Sequence, residues 1–255
     1  MLKIERHGSA VLWSIARPET RNAVNRATLE QLSNAIDEAG RDETLRAAIL
    51  TGEGDAFCSG GDLREVRGIR TAEDTERFAR LGEDLCARIE NLPIPVLAAI
   101  PGVAFGGGAE LALACDVRIA EQRARVSFKQ VRMAVTSAWS TVPRVLAAVG
   151  SGNAARLLFT GQEIGAEEAR ALGLVDAVCD NGTSVAMALA WARDIAQGSR
   201  QAVASMKALL RTARTNPAAA RDEERRRFVE TWTSPEHADA VEAYFERRAP
   251  KFSVP

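Results

Sequence analysis

Apolar residues fall into two rhythms along this chain. The segments AVLWSIA (10–16) and LRAAILTG (45–52) are short, nearly unbroken apolar runs, and they predict buried strands. Between them Leu29, Leu32 and Ile36 recur at helical spacing, and Gly40 closes the segment. Phe78, Leu81, Leu85 and Ile89 form a second stripe, which predicts a helix over 72–91 stopped by Pro93. IPVLAAIPG (94–102), DVRIA (116–120) and RVSF (125–128) read as further strands. From about residue 140 the pattern turns helical, over 183–198, 199–214, 221–232 and 234–248. Ser234 is a good cap for the last of these, with Pro235 at the first helical position, where a missing N–H costs nothing. The whole predicts an α/β core over 1–195 followed by a helical region over 196–255.

Composition narrows the class. In 255 residues the hydrophobic fraction is 46% and the charged fraction 26%, those of a soluble globular protein. A net charge of −1 argues against binding nucleic acid or an anionic membrane by bulk charge. No apolar run approaches the ~18 residues of a membrane span. Cys58, Cys86, Cys115 and Cys179 are scattered, without a CxxC pair, which suits reduced thiols better than disulfides or zinc. The N-terminal stretch lacks the apolar core of a signal peptide, so a cytoplasmic location is expected.

The candidate chemistry lies in two loops of matching shape. AFCSGGDL (56–63) follows the strand at 45–52, and AFGGGAEL (104–111) follows the strand at 94–100. Each runs from strand through glycines to a helix start. Helix-start N–H groups are unpaired and carry partial positive charge, and glycine lets a ligand approach them closely. Two such N–H groups aimed at one point form an oxyanion hole. Glu110 lies three residues after Gly107, on the same helix face, and would stand beside that hole. Either loop alone reads as an ordinary turn, and a lone Glu as a dipole partner; the combination points to chemistry. The sequence holds no GxSxG elbow, HExxH helix or Walker loop. The two histidines, His7 and His237, are expected on the surface.

These segments, with RPETRNAVN, FGGGAELALACDVRIA, TGQEIGAEEARALGLVDAV and YFERRAPKF, occur in the order of landmarks of the crotonase, or enoyl-CoA hydratase/isomerase, superfamily, which the chain resembles along nearly its whole length. The resemblance implies a ββα spiral core, acyl-CoA thioester substrates with no permanently bound cofactor, and C-terminal helices over 196–255 that build trimers or hexamers. It implies a thioester oxygen held by the N–H groups of Gly61 and Gly107, with Glu110 as acid/base. Arg21 would face a CoA phosphate, Ala23 would lie along the pantetheine, Asp62 and Leu63 near the adenine, and Lys251 would reach CoA from the C-terminus. Nominally the reaction would be hydration or dehydration of a 2-enoyl-CoA.

One stretch departs from the pattern. The family's hydratases carry a second glutamate in a segment resembling FGxPExxxGxxPGxGGT. Here the chain reads FKQVRMAVTSAWSTVPR (128–144), which puts Arg132 at that position and Trp139 in the former glycine turn. The stretch is closer to the family's decarboxylases. An arginine cannot be a base at neutral pH. Facing the pocket, Arg132 would pair with Glu110 or bind a substrate carboxylate through its planar fork; facing outward, it would do neither. Trp139 is expected to line the pocket. Three readings therefore stand: a hydratase, an acyl-CoA decarboxylase using Arg132, and a CoA-binding protein with little catalysis. A carrier-protein-linked substrate shares the same pantetheine arm.

Overall fold

The computed structural model describes residues 1–252. A six-stranded sheet runs in the order β1 (Leu2–His7), β2 (Ala10–Ile15), β3 (Ala47–Gly52), β5 (Val96–Ile100), β7 (Val117–Glu121), β10 (Ala177–Cys179). Only its β1–β2 pair is antiparallel. A smaller, four-stranded sheet runs β4 (Ala56–Cys58), β6 (Val103–Phe105), β8 (Arg125–Ser127), β9 (Ile164–Gly165). Consecutive strands alternate between the sheets: β3 then β4, β5 then β6, β7 then β8. After the first two pairs the chain passes into helix, α2 (Leu63–Val66) and α3 (Ala72–Asn91), then α4 (Gly107–Ala114). This is the ββα spiral the resemblance implies.

The helices form where the sequence provides caps and stripes. In α1 (Arg26–Arg41) the Asn25 side chain accepts from the Thr28 N–H, and Leu29, Leu32, Ala35 and Ile36 turn inward. Thr71 caps α3 in the same way through the Asp74 N–H, and Leu85 and Ile89 are buried. The inner strands β2, β3 and β5 are buried along their whole length, which is why they read as continuous apolar runs, whereas the edge strand β1 is exposed. Val11, Trp13 and Ile15 enter the main core with α1, α3 and α4. Ala10 and Leu12 face the other way, onto Ala188 and Ala192 of α7 (Ser184–Ile195).

The glycine loops depart from one sequence expectation. They do not leave the strands of the large sheet directly; they leave β4 and β6, three-residue strands of the second sheet. Beyond Lys129 a 3-10 turn (Lys129–Met133) leads to α5 (Thr141–Thr160), and α6 (Ala166–Ala171) precedes β10. The C-terminal helices are α8 (Arg200–Thr215), α9 (Pro217–Trp232) and α10 (Pro235–Glu246). Lys207 pins α8 to the core: its buried ammonium donates to the carbonyls of Ile89 and Ile94 and pairs with Asp116 at 2.7 Å. Ser234 caps α10 as expected. His7 is exposed; His237 is not fully so, being half-buried with its ring 4.4 Å from that of Trp232.

Candidate active site

The turn at 17–24 is stitched to the first glycine loop. Val24 N–H donates to Gly60 O, Asp62 N–H to Val24 O, and Ser59 N–H to Arg21 O. Arg17 pairs with Asp62 at 2.7 Å, which holds the Asp62 carboxyl below its ordinary range. Asp62 also caps α2. Arg21 and Asn22 both take left-handed backbone, and the buried Asn22 amide donates to the carbonyls of Glu53 and Ala56. Arg21, Ala23, Asp62 and Leu63 are thereby gathered along one edge. Ala23 is buried, while Arg21 and Leu63 are exposed.

The second glycine loop lies against the first. Its three glycines each have a separate steric reason. Gly106 has φ 51° and ψ −118°, a conformation that glycine alone adopts readily. A Cβ on Gly108 would stand 2.0 Å from the Cys58 carbonyl oxygen, so this position must stay bare for α4 to pack on β4. A Cβ on Gly107 would stand 2.9 Å from the Trp139 ring. From the other side, a Cβ on Gly60 would be 3.5 Å from the Gly107 nitrogen, so the two loops meet at that N–H. Gly107 is the first residue of α4, where an N–H has no intrahelical acceptor. Neither the Gly61 nor the Gly107 N–H donates to an acceptor among the described residues. Phe78 and Val66 stand over Gly61 and give this corner apolar walls.

Glu110 sits one turn into α4 and is 4% exposed. Burial pushes its pKa up. The Thr141 hydroxyl, which donates to Oε1 at 2.7 Å, works against that shift, as do the Ala138 backbone, the Gln130 side chain and the Trp139 backbone. Thr141 and Gln130 were not singled out from sequence; the available signal was their place in the stretch that departs from the family pattern. Trp139 is buried with its indole between Gly82 of α3 and Gly107, and its carbonyl accepts from Arg144. Arg144 in turn makes a two-pronged pair with Glu90 at 2.8 Å on both arms.

Arg132 does not join this group. Its guanidinium is exposed and donates to the Thr160 carbonyl at 2.9 Å, and it makes no ion pair with Glu110. The cause is local. Ala134 takes left-handed backbone and ends the 3-10 turn. The Arg132 stem packs where Gly161 lacks a side chain, its Cγ 3.2 Å from the position a Cβ would fill. Lys251 also stands apart: its N–H donates to Asp239 at 2.6 Å, and no hydrogen bond or ion pair ties it to the 17–24 or 58–63 segments among the described residues.

With this geometry in place, comparison with known proteins is direct. The enoyl-CoA hydratase/isomerase family model matches residues 5–254. The chain belongs to this family. A short-chain-enoyl-CoA hydratase of Clostridium acetobutylicum is 34% identical over 247 residues, covering 96% of this chain and 94% of the relative. The 2,3-dehydroadipyl-CoA hydratase of Escherichia coli is 29% identical over 255 residues, covering 98% of each. The crystal structure of an enoyl-CoA hydratase from Bacillus anthracis superimposes with a TM-score of 0.95 at 29% identity, covering 100% of this chain and 99% of that one. Membership of the crotonase superfamily follows, and with it an enzyme of the hydratase/isomerase type. No metal-binding cluster occurs among the described residues, and none of the described helices is long and apolar enough to cross a membrane.

Proposed function

We propose that this family member hydrates a 2-enoyl-CoA, reversibly, by stabilising a thioester enolate. The N–H groups of Gly61 and Gly107 hold the thioester oxygen, and Glu110 moves the proton. The observations that support this reading are two backbone N–H groups without an acceptor among the described residues, in loops that touch at Gly60 and Gly107, and a buried carboxyl with a raised pKa on the helix that starts at Gly107. A fixed oxyanion donor supplies ~3–4 kcal/mol of transition-state stabilisation. A carboxyl displaced upward is a stronger base than an ordinary carboxylate and can return the proton it takes, a contribution of ~10²–10⁴ in rate.

The stitched edge formed by Arg21, Ala23, Asp62 and Leu63 is assigned to CoA, with Arg21 free to meet a phosphate. Lys251 would reach the same ligand from the C-terminal segment. Trp139 lines the acyl side. The region 196–255 is assigned to assembly into trimers or hexamers, supported by exposed apolar residues on α8–α10: Leu210, Phe228, Trp232, Tyr244 and Phe245. Four buried, unpaired thiols support a reducing, cytoplasmic setting.

The decarboxylase reading needed Arg132 in the pocket; its hydrogen bond to Thr160 removes that support. The test is loss of the enoyl absorbance of crotonyl-CoA, with Glu110→Gln alongside. Turnover that falls ~10²-fold or more in the variant supports the proposal. CoA binding without turnover would favour the binding-protein reading.

A further inference from the structure

β6 and β8 are parallel neighbours, with Phe105 opposite Ser127. α4 leaves the end of β6 at Gly107, and the 3-10 turn leaves the same end of β8 at Lys129. The two turns start side by side, and Gln130 comes close enough to Glu110 to favour its charged form. Yet both polar atoms of the Gln130 side chain, Oε1 and Nε2, are buried without a hydrogen-bond partner among the described residues. Buried polar atoms are rarely left so, because each loses its water without replacement. A carboxamide offers one acceptor and two donors, the set needed to fix a water against a carboxylate. Arg132, two residues further along the turn, points away to the Thr160 carbonyl and takes no part in that task.

We propose that Gln130, together with Glu110, holds the water that adds to the enoyl thioester, making Gln130 a positioning residue for the hydration step. This rests on the hydratase reading above. The water donates one hydrogen to Gln130 Oε1 and the other to the Glu110 carboxylate. Its oxygen forms the bond to C3. The C2=C3 π pair moves to the C1–C2 bond, and the carbonyl π pair moves onto the oxygen held by Gly61 and Gly107. The proton on the Glu110 side passes to Glu110. As the carbonyl re-forms, C2 takes that proton, leaving a 3-hydroxyacyl thioester and a Glu110 carboxylate. Gln130 gives and takes no proton; it sets the direction of attack.

The test compares two reactions of the full chain. Hydration of crotonyl-CoA needs the water, whereas exchange of the C2 hydrogens of butyryl-CoA in D2O needs only the oxyanion donors and Glu110. Gln130→Met keeps the volume and removes the hydrogen bonds. It is expected to lower kcat for hydration about 100-fold, the scale of a misaligned reactant, and to lower exchange far less. Gln130→Glu is expected to restore most of the hydration. It should also shift the acid limb of the exchange profile to higher pH, because a second carboxylate raises the Glu110 pKa. Equal losses in both reactions, or hydration unchanged in Gln130→Met, would overturn the role of Gln130 and leave the hydratase reading intact. A wild-type enzyme that exchanges but does not hydrate would overturn both.

Discussion

Gly82 lies inside α3, where sequence alone says alanine should be better. Glycine costs about 1 kcal/mol relative to alanine in a helix interior. The structure reverses the sign. A Cβ at position 82 would stand 1.9 Å from Cε2 and 2.1 Å from Nε1 of Trp139. Carbon contacts sit near ~3.5–4.0 Å, so the indole would have to retreat by on the order of 1.5 Å. It has little room, because Gly107 stands against its far edge and the residue is 3% exposed. Overpacking of this kind costs about 1–3 kcal/mol. Expelling the ring instead would forfeit ~4–6 kcal/mol of aromatic burial, so strain is the cheaper outcome. Set against the helix gain, Gly82→Ala is expected to destabilise by up to about 2 kcal/mol. Turnover should fall too, since a displaced Trp139 moves the 138–141 turn that meets Glu110. The assay is urea unfolding of Gly82→Ala beside Gly152→Ala, where a Cβ in α5 meets nothing within 4 Å. Gly152→Ala should be stabilising. If Gly82→Ala is stabilised as much, the indole does not occupy this notch and the account of the site wall is wrong.

Three further outcomes follow from the same structure. The folded Glu110 carboxyl keeps its proton to higher pH than the unfolded chain does. Wild-type stability therefore declines as pH rises from about 4 through the raised folded pKa, and the Glu110→Gln variant gains relative to it over that window; unfolding free energies measured across pH would show a flat difference if the shift is absent. Arg144→Met strands Glu90 with Arg214 alone and is expected to cost about 3 kcal/mol, most of it recovered in the Arg144→Met, Glu90→Met double variant; chemical denaturation of the four-member cycle measures the coupling. Burial pushes the Cys58 and Cys86 thiols up to about 11 and about 12, so neither should react with a thiol reagent at neutral pH until the protein unfolds; mass spectrometry after native and denatured labelling distinguishes the two states.

Local signals carried much of the fold. The stripe from Phe78 to Ile89, closed by Pro93, gave helix bounds that match α3, and the glycine loops with Glu110 marked the place to which the proposed chemistry is assigned. What sequence could not show depends on distant partners. β4, β6 and β9 span two or three residues each, too few for a period, and exist by pairing across the chain. Gly82 gave no sign that it makes room for Trp139. The direction of Arg132 turns on one left-handed alanine and on the bare surface of Gly161. The same stretch hid Thr141 and Gln130, whose meaning comes only from the side of α4 they face.

The central claim is that Gly61, Gly107 and Glu110 together make and quench an enolate. Its most direct test is C2 hydrogen exchange of butyryl-CoA in D2O, followed by proton NMR, for the wild type and Glu110→Gln. The account predicts exchange in the wild type and a loss of ~10²-fold or more in the variant. No exchange by a wild-type protein saturated with the thioester, or equal exchange in both, would contradict it.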